Sequence, residues 1–107
     1  MDKQVENTFQ IILHAGDARS KAINAIQKAE AYLFEEAADL LSEAKEEMKL
    51  AHKIQTEMMQ QEIGGDKKEF SILLVHGQDH FAMATVTIDM AETALKMYRK
   101  MKELEEK

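Results

Sequence analysis

Apolar residues recur along the chain at alternating four- and three-residue steps, the period that gathers them on one face of an α-helix. Val5, Phe9, Ile12, Gly16, Arg19, Ile23 and Ile26 form a first seam. Beside it runs a stripe of Ile11, Ala15, Ala18, Ala22, Ala25 and Ala29, small enough to let another helix approach closely. Close packing is the reading of Gly16 as well, whereas Arg19 must either snorkel outward or find an acceptor. No Gly or Pro marks the end of this helix between Glu30 and Phe34. Length sets the break instead, because one helix from residue 4 to residue 63 would measure about 90 Å, more than a compact domain of this size can bury.

A second helix carries Ala37, Leu41, Ala44, Met48, Ala51, Gln55 and Met58 on one seam, and His52, Gln55 and Thr56 give its far end hydrogen-bonding groups. Gly64-Gly65-Asp66, continued by Lys67-Lys68-Glu69, is the clearest loop signal. A third helix follows with three stripes. One is Phe70, Leu74, Gly77, Phe81, Ala84, Ile88, Ala91, Leu95 and Tyr98; another is His76, His80, Met83, Thr87, Met90, Ala94, Met97, Met101 and Leu104. The last is Ile72, Val75, Asp79, Ala82, Val86, Asp89 and Thr93. The pattern predicts one domain over residues 1–107, an antiparallel three-helix bundle with helices over about 4–30, 33–62 and 68–104. Two helices cannot cover three stripes of a third, so the chain is expected to assemble with copies of itself. The stripe containing Asp79 would then bring carboxylates together, tolerable around a cation such as Mg2+ or Ca2+.

Composition agrees with the pattern: 107 residues with no proline, four glycines and 45% hydrophobic residues favour an all-α fold. The absence of cysteine removes disulfides and thiolate metal sites, and fits a cytoplasmic protein. Apolar runs are too short to span a bilayer and Met1-Asp2-Lys3-Gln4 does not open a signal peptide, so no membrane insertion is expected. A net charge of -6 with interspersed signs argues against a nucleic-acid partner.

The chemistry concentrates in Val75-His76-Gly77-Gln78-Asp79-His80-Phe81, where Asp79 and His80 are helical neighbours of His76. The bland reading is a polar patch where helices meet. As a zinc site, His76-x-x-Asp79-His80 is similar to an inverted zinc-protease motif, but it lacks a third ligand and a substrate cleft. As a nucleophile, a neutral imidazole can take a phosphoryl group and pass it on. No nucleotide-binding loop accompanies it, so the phosphoryl group would have to come from another protein.

These residues resemble the enzyme IIA proteins of the lactose/cellobiose/chitobiose class of the bacterial phosphoenolpyruvate-dependent sugar phosphotransferase system. His76-Gly77-Gln78-Asp79-His80 looks like that family's H-[AG]-Q-D-H signature. Ala15-Gly16-Asp17-Ala18-Arg19-Ser20 is similar to its first-helix A-G-x-A-R-S, and Ala51-His52 with Gln55-Thr56 resembles its second-helix A-H-x-x-Q-T. The resemblance implies a homotrimer, a nine-helix bundle of three protomers. It implies that His76 is phosphorylated, accepting from the phosphocarrier HPr and donating to the cysteine of a cognate enzyme IIB, linked to a membrane enzyme IIC, during uptake of a β-linked disaccharide. Asp79 from three subunits would surround a divalent cation, with Mg2+ the first choice, at the trimer axis. His80 and Gln78, and with them His52, are candidate neighbours of the phosphoryl group. The other expectation kept in view is a structural or regulatory trimeric bundle without onward transfer. Two departures stand out: Phe81 where leucine is usual, and Tyr32-Leu33-Phe34 in place of a Gly-Asp-Phe turn.

Overall fold

The computed structural model describes residues 2–65 and 70–107. It contains three helices: α1 (Lys3–Glu30), α2 (Phe34–Ile63) and α3 (Ile72–Glu105). No strand occurs among the described residues. The molecule is a rod of 61 × 22 × 19 Å. Contacts between α1 and α2 run from His14–Glu47 at one end to Lys28–Glu36 at the other, so these helices are antiparallel. Between α2 and α3 they run from Lys45–Glu92 to Gln55–Gln78, again antiparallel, which leaves α1 and α3 parallel.

Local chemistry explains the helix ends. Asp2 accepts a hydrogen bond from the Gln4 amide at 2.9 Å and satisfies a free N–H of the first turn of α1. α3 starts later than the expected 68: Ser71 is extended, with φ -145°, and its Oγ accepts from the Leu74 amide at 3.1 Å, a side-chain cap that fixes the start at Ile72. Phe70, expected to open the core stripe, therefore precedes the helix and is 89% exposed. The Asp66 to Glu69 part of the expected loop and helix start lies outside the described residues. The break between α1 and α2 falls where length required it. Tyr32 makes the turn with φ 63°, a left-handed conformation that a glycine would adopt without strain.

The core inverts the relative weight of the two α1 stripes. Ile11, Ala15, Ala18, Ala22 and Ala29 are fully buried, while Phe9 is 43% exposed and Val5, Ile12, Ile23 and Ile26 are only half-buried. α1 is the middle helix, packed on both neighbours, and small side chains let two helices close on it at once. Arg19 snorkels into solvent. From α2 come Ala37, Leu41, Ala44, Ala51 and Met58, and from α3 Gly77, Ala84, Ile88, Ala91 and Leu95. α2 and α3 meet far less than either meets α1, which leaves a groove between them.

The opposite side of α3 is open. Ile72, Val75, Met83, Val86, Met90, Met97 and Leu104 are each between 45% and 90% exposed, and they follow the three-four spacing of a helix-association seam. A strip of this length is far more than scattered surface apolarity. No helix among the described residues is long and apolar enough to cross a membrane.

Candidate functional site

His76 to His80 lie in the second and third turns of α3, where successive side chains turn by about 100° and so leave the helix in different directions. Gly77 points at α1. A Cβ there would stand 2.9 Å from Thr8 Cγ2 and 3.7 Å from Ile12 Cγ1, so the helices touch backbone to side chain at this point. Thr8 is 1% exposed, and its hydroxyl donates back to the Gln4 carbonyl at 2.8 Å, which leaves the methyl facing Gly77. This contact fixes the rotation of α3 and thereby the exits of the flanking side chains.

His76 and His80 emerge together along the α1 edge. Their Nε2 atoms are 3.0 Å apart, with ring centroids 4.4 Å apart and ring planes at 87°. At that separation one nitrogen donates and the other accepts. With the shared proton on His80, His76 Nε2 keeps its lone pair and carries its own proton on Nδ1. His76 is exposed and His80 half-buried. A shallow groove runs from His80 over Ile12, Leu13, Gly16 and Ser20 of α1 to Glu47 of α2. Gly16 is not a close-packing glycine: a Cβ there would meet nothing within 4 Å. Its missing side chain instead lowers the floor of this groove.

Gln78 leaves on the other side. It is half-buried against α2, where Gln55 Nε2 donates to Gln78 Oε1 at 2.6 Å. Residues two apart on a helix do not face each other, so within one chain Gln78 and His76 occupy opposite flanks of α3. His52 is exposed, not buried in a satisfied cluster. Its ring lies 6.0 Å from that of Phe81, at an interplanar angle of 29°. Both belong to the α2–α3 groove, a cleft of about 530 Å³ with Met48 and Ile88 in its lining. Within one chain His52 and His80 line different grooves.

Asp79 projects from the open face beside Val75, exposed, and its carboxylate makes no ion pair or hydrogen bond among the described residues. No three His, Cys, Asp or Glu side chains of one chain converge on a metal position among the described residues. Among the described residues of one chain, His76 and His80 therefore have no further protein ligand for zinc beside them, and Asp79 has no second carboxylate with which to hold a cation.

Sequence spacing gives no sign of one more pair. His14 Nδ1 lies 2.8 Å from Glu47 Oε2, joining α1 to α2 at the far end of the His80 groove, with both side chains about a quarter exposed. The two residues are 33 positions apart on separate helices, so only the packing of α1 on α2 brings them together.

Comparison with known proteins matches this chain to others of the same build. It is 44% identical over 104 residues to the lichenan-specific phosphotransferase enzyme IIA component of Bacillus subtilis, covering 96% of this chain and 94% of the relative. The crystal structure of the cellobiose-specific enzyme IIA of Bacillus anthracis superposes with a TM-score of 0.93 at 38% identity, covering 96% of this chain and 94% of that one. The IIA(chitobiose) chain, solved in complex with HPr, shares the fold, with a TM-score of 0.82 at 24% identity over 95% of this chain and 99% of that one. The family model for the lactose/cellobiose-specific IIA subunit matches residues 6–99, and the chain belongs to that family of phosphotransferase-system components.

Proposed function

We propose that the protein is a phosphohistidine carrier, with His76 Nε2 as the atom that takes and gives the phosphoryl group. The observation that carries this reading is the exposed His76 ring whose Nε2 meets His80 Nε2 at 3.0 Å, in a chain of the IIA family. His80 acts twice. As donor of the shared proton it holds His76 in the tautomer protonated on Nδ1, this bond opens to release the Nε2 lone pair for attack, and once phosphorus occupies that nitrogen the same N–H is free to donate to a phosphoryl oxygen.

Phospho-HPr is the donor in this scheme. His76 Nε2 attacks its phosphorus, a new N–P bond forms as the donor's N–P bond breaks, and the proton lost from His76 Nδ1 is matched by one gained by the departing donor imidazole. In the second step the thiolate of a cognate enzyme IIB attacks the same phosphorus, S–P forms, N–P breaks and the His76 ring regains its proton. The carrier works in the cytoplasm, coupled through IIB to a membrane enzyme IIC. The sugar is a β-linked disaccharide, in keeping with the lichenan and cellobiose systems of its relatives.

The working unit is a homotrimer closed on the open face of α3, which covers Val75, Val86, Met90 and Met97. Asp79 would there join two copies of itself around a divalent cation, Mg2+ by preference. The exposed Asp79 carboxylate, which has no ion pair or hydrogen bond among the described residues, fits this role, since hard cations take oxygen ligands and clustered carboxylates need a positive charge.

The test is incubation with phosphoenolpyruvate, enzyme I and HPr, followed by addition of IIB. The expected result is transfer through wild-type protein, loss of acceptance in His76→Ala, and transfer slowed about 10- to 1,000-fold in His80→Ala, the range for removing a charge-stabilising donor or proton-transfer group. Phosphorylation without onward transfer to any IIB would favour a regulatory bundle instead.

A further inference from the structure

The flanks of the open α3 face differ in chemistry. One edge carries His76 and His80 beside α1, and the other carries Gln78 bonded to Gln55 of α2. In a ring of copies related by rotation, each interface is head-to-tail, so the His76 edge of one copy abuts the Gln78 edge of the next. Gln78 cannot reach its own His76, from which it points away around the helix, but it borders that of a neighbour.

The hydrogen bond between the two glutamines has a polarity. Gln55 Nε2 donates to Gln78 Oε1 at 2.6 Å, which occupies the carbonyl of the Gln78 amide and leaves its NH2 group to face away from α2. Turned the other way, Gln78 would present a carbonyl oxygen to a phosphoryl group and repel it. Gln55 is half-buried, which holds the pair more firmly than a surface contact between two long side chains.

We infer that Gln55 is a positioning residue acting between subunits: it sets the Gln78 amide so that its N–H donates to the phosphoryl oxygens on His76 of the adjacent copy. This rests on the carrier and trimer readings above. Gln55 itself touches no phosphate; its effect passes wholly through Gln78.

The experiment uses Gln55→Met, close in length and without a donor. Phosphoryl transfer from phospho-HPr is measured by rapid quench on the whole protein, after its oligomeric state has been checked. The expected result is a kcat about tenfold lower with KM for HPr unchanged, a fraction of the loss seen when a donor to developing charge is removed outright. In a Gln78→Ala background the same change should have no further effect. Co-expressed in equal amounts with His76→Ala protein, Gln55→Met should regain the wild-type rate at about half of its His76 sites, because half then border a subunit with Gln55 intact. If Gln55→Met does not fold, Gln55→Asn, whose amide is too short to reach Gln78, replaces it in all three arms. An unchanged kcat, an equal loss in the Gln78→Ala background, or no fast fraction on co-assembly would each overturn the inference. A wild-type protein that takes no phosphate on His76 would overturn the carrier reading itself, a result distinct from a phosphorylated protein indifferent to Gln55.

Discussion

Substituting Gly77 by alanine sets two forces against each other at the contact that orients the site. A helix-interior Gly→Ala change is worth about 1 kcal/mol in favour of folding. Against it, the new methyl would stand 2.9 Å from Thr8 Cγ2, inside van der Waals contact, with a side chain that is 1% exposed and has little room to retreat. Overpacking of this kind costs about 1–3 kcal/mol, so Gly77→Ala is expected to destabilise by about 1 kcal/mol. Thr8→Ser removes that methyl while keeping the hydroxyl that bonds the Gln4 carbonyl at 2.8 Å, and the next atoms then lie at 3.6 and 3.7 Å, ordinary contact distances. Thr8→Ser alone should cost about 1 kcal/mol for a lost buried methyl. Added to it, Gly77→Ala should become stabilising by about 0.5–1 kcal/mol, a coupling of about 2 kcal/mol between the sites. Urea unfolding of the four proteins at one fixed concentration, followed by circular dichroism, measures the cycle. If Gly77→Ala has the same effect with and without the Thr8 methyl, the contact does not hold α3 where we place it.

Gly16 predicts the opposite of Gly77: with nothing within 4 Å of its Cβ position, Gly16→Ala should stabilise by about 1 kcal/mol in the same urea assay. Asp79→Leu should leave the assembly intact or tighten it, because apolar contacts replace clustered charges, and sedimentation showing monomers would reverse that expectation. Tyr32 donates its hydroxyl to Glu105 Oε1 at 2.7 Å, and this bond, with burial and the Glu105 charge adding to it, raises the phenol above its ordinary value near 10.0. The stability from this tie is then fully present below the unfolded value and lost as pH rises through the raised one. Wild type and Tyr32→Phe should differ in melting temperature below about pH 10 and converge in stronger alkali.

Much of the architecture was legible because periodicity is a long-range signal. The α2 seam and the α3 stripe from Leu74 to Leu95 lie on the core side as their spacing implied. What misled was size. Val5, Phe9 and Ile23 look like core, yet the middle helix of a three-helix rod buries its alanines, since closeness of approach decides there and not side-chain bulk. The two glycines show the same limit: one-dimensional spacing put both on apolar stripes, but only Gly77 faces a neighbouring helix. The turn at Tyr32 carries no glycine to announce it, and the start of α3 depends on a single serine cap. The signature residues were legible as a group, whereas the helix distributes them: His76 and His80 to one flank, Gln78 to the other and Asp79 between. Pairs such as His14–Glu47 and Gln55–Gln78 join separate helices and leave no trace in spacing.

The claim on which the rest depends is that His76 takes phosphate. Phosphorylation by phosphoenolpyruvate, enzyme I and HPr, with the modified residue located by mass spectrometry under mildly alkaline conditions, tests it directly. One acid-labile phosphoryl group per chain is expected, on His76, and none in His76→Ala. Phosphate found on His80, or a wild-type chain that accepts none, would contradict it.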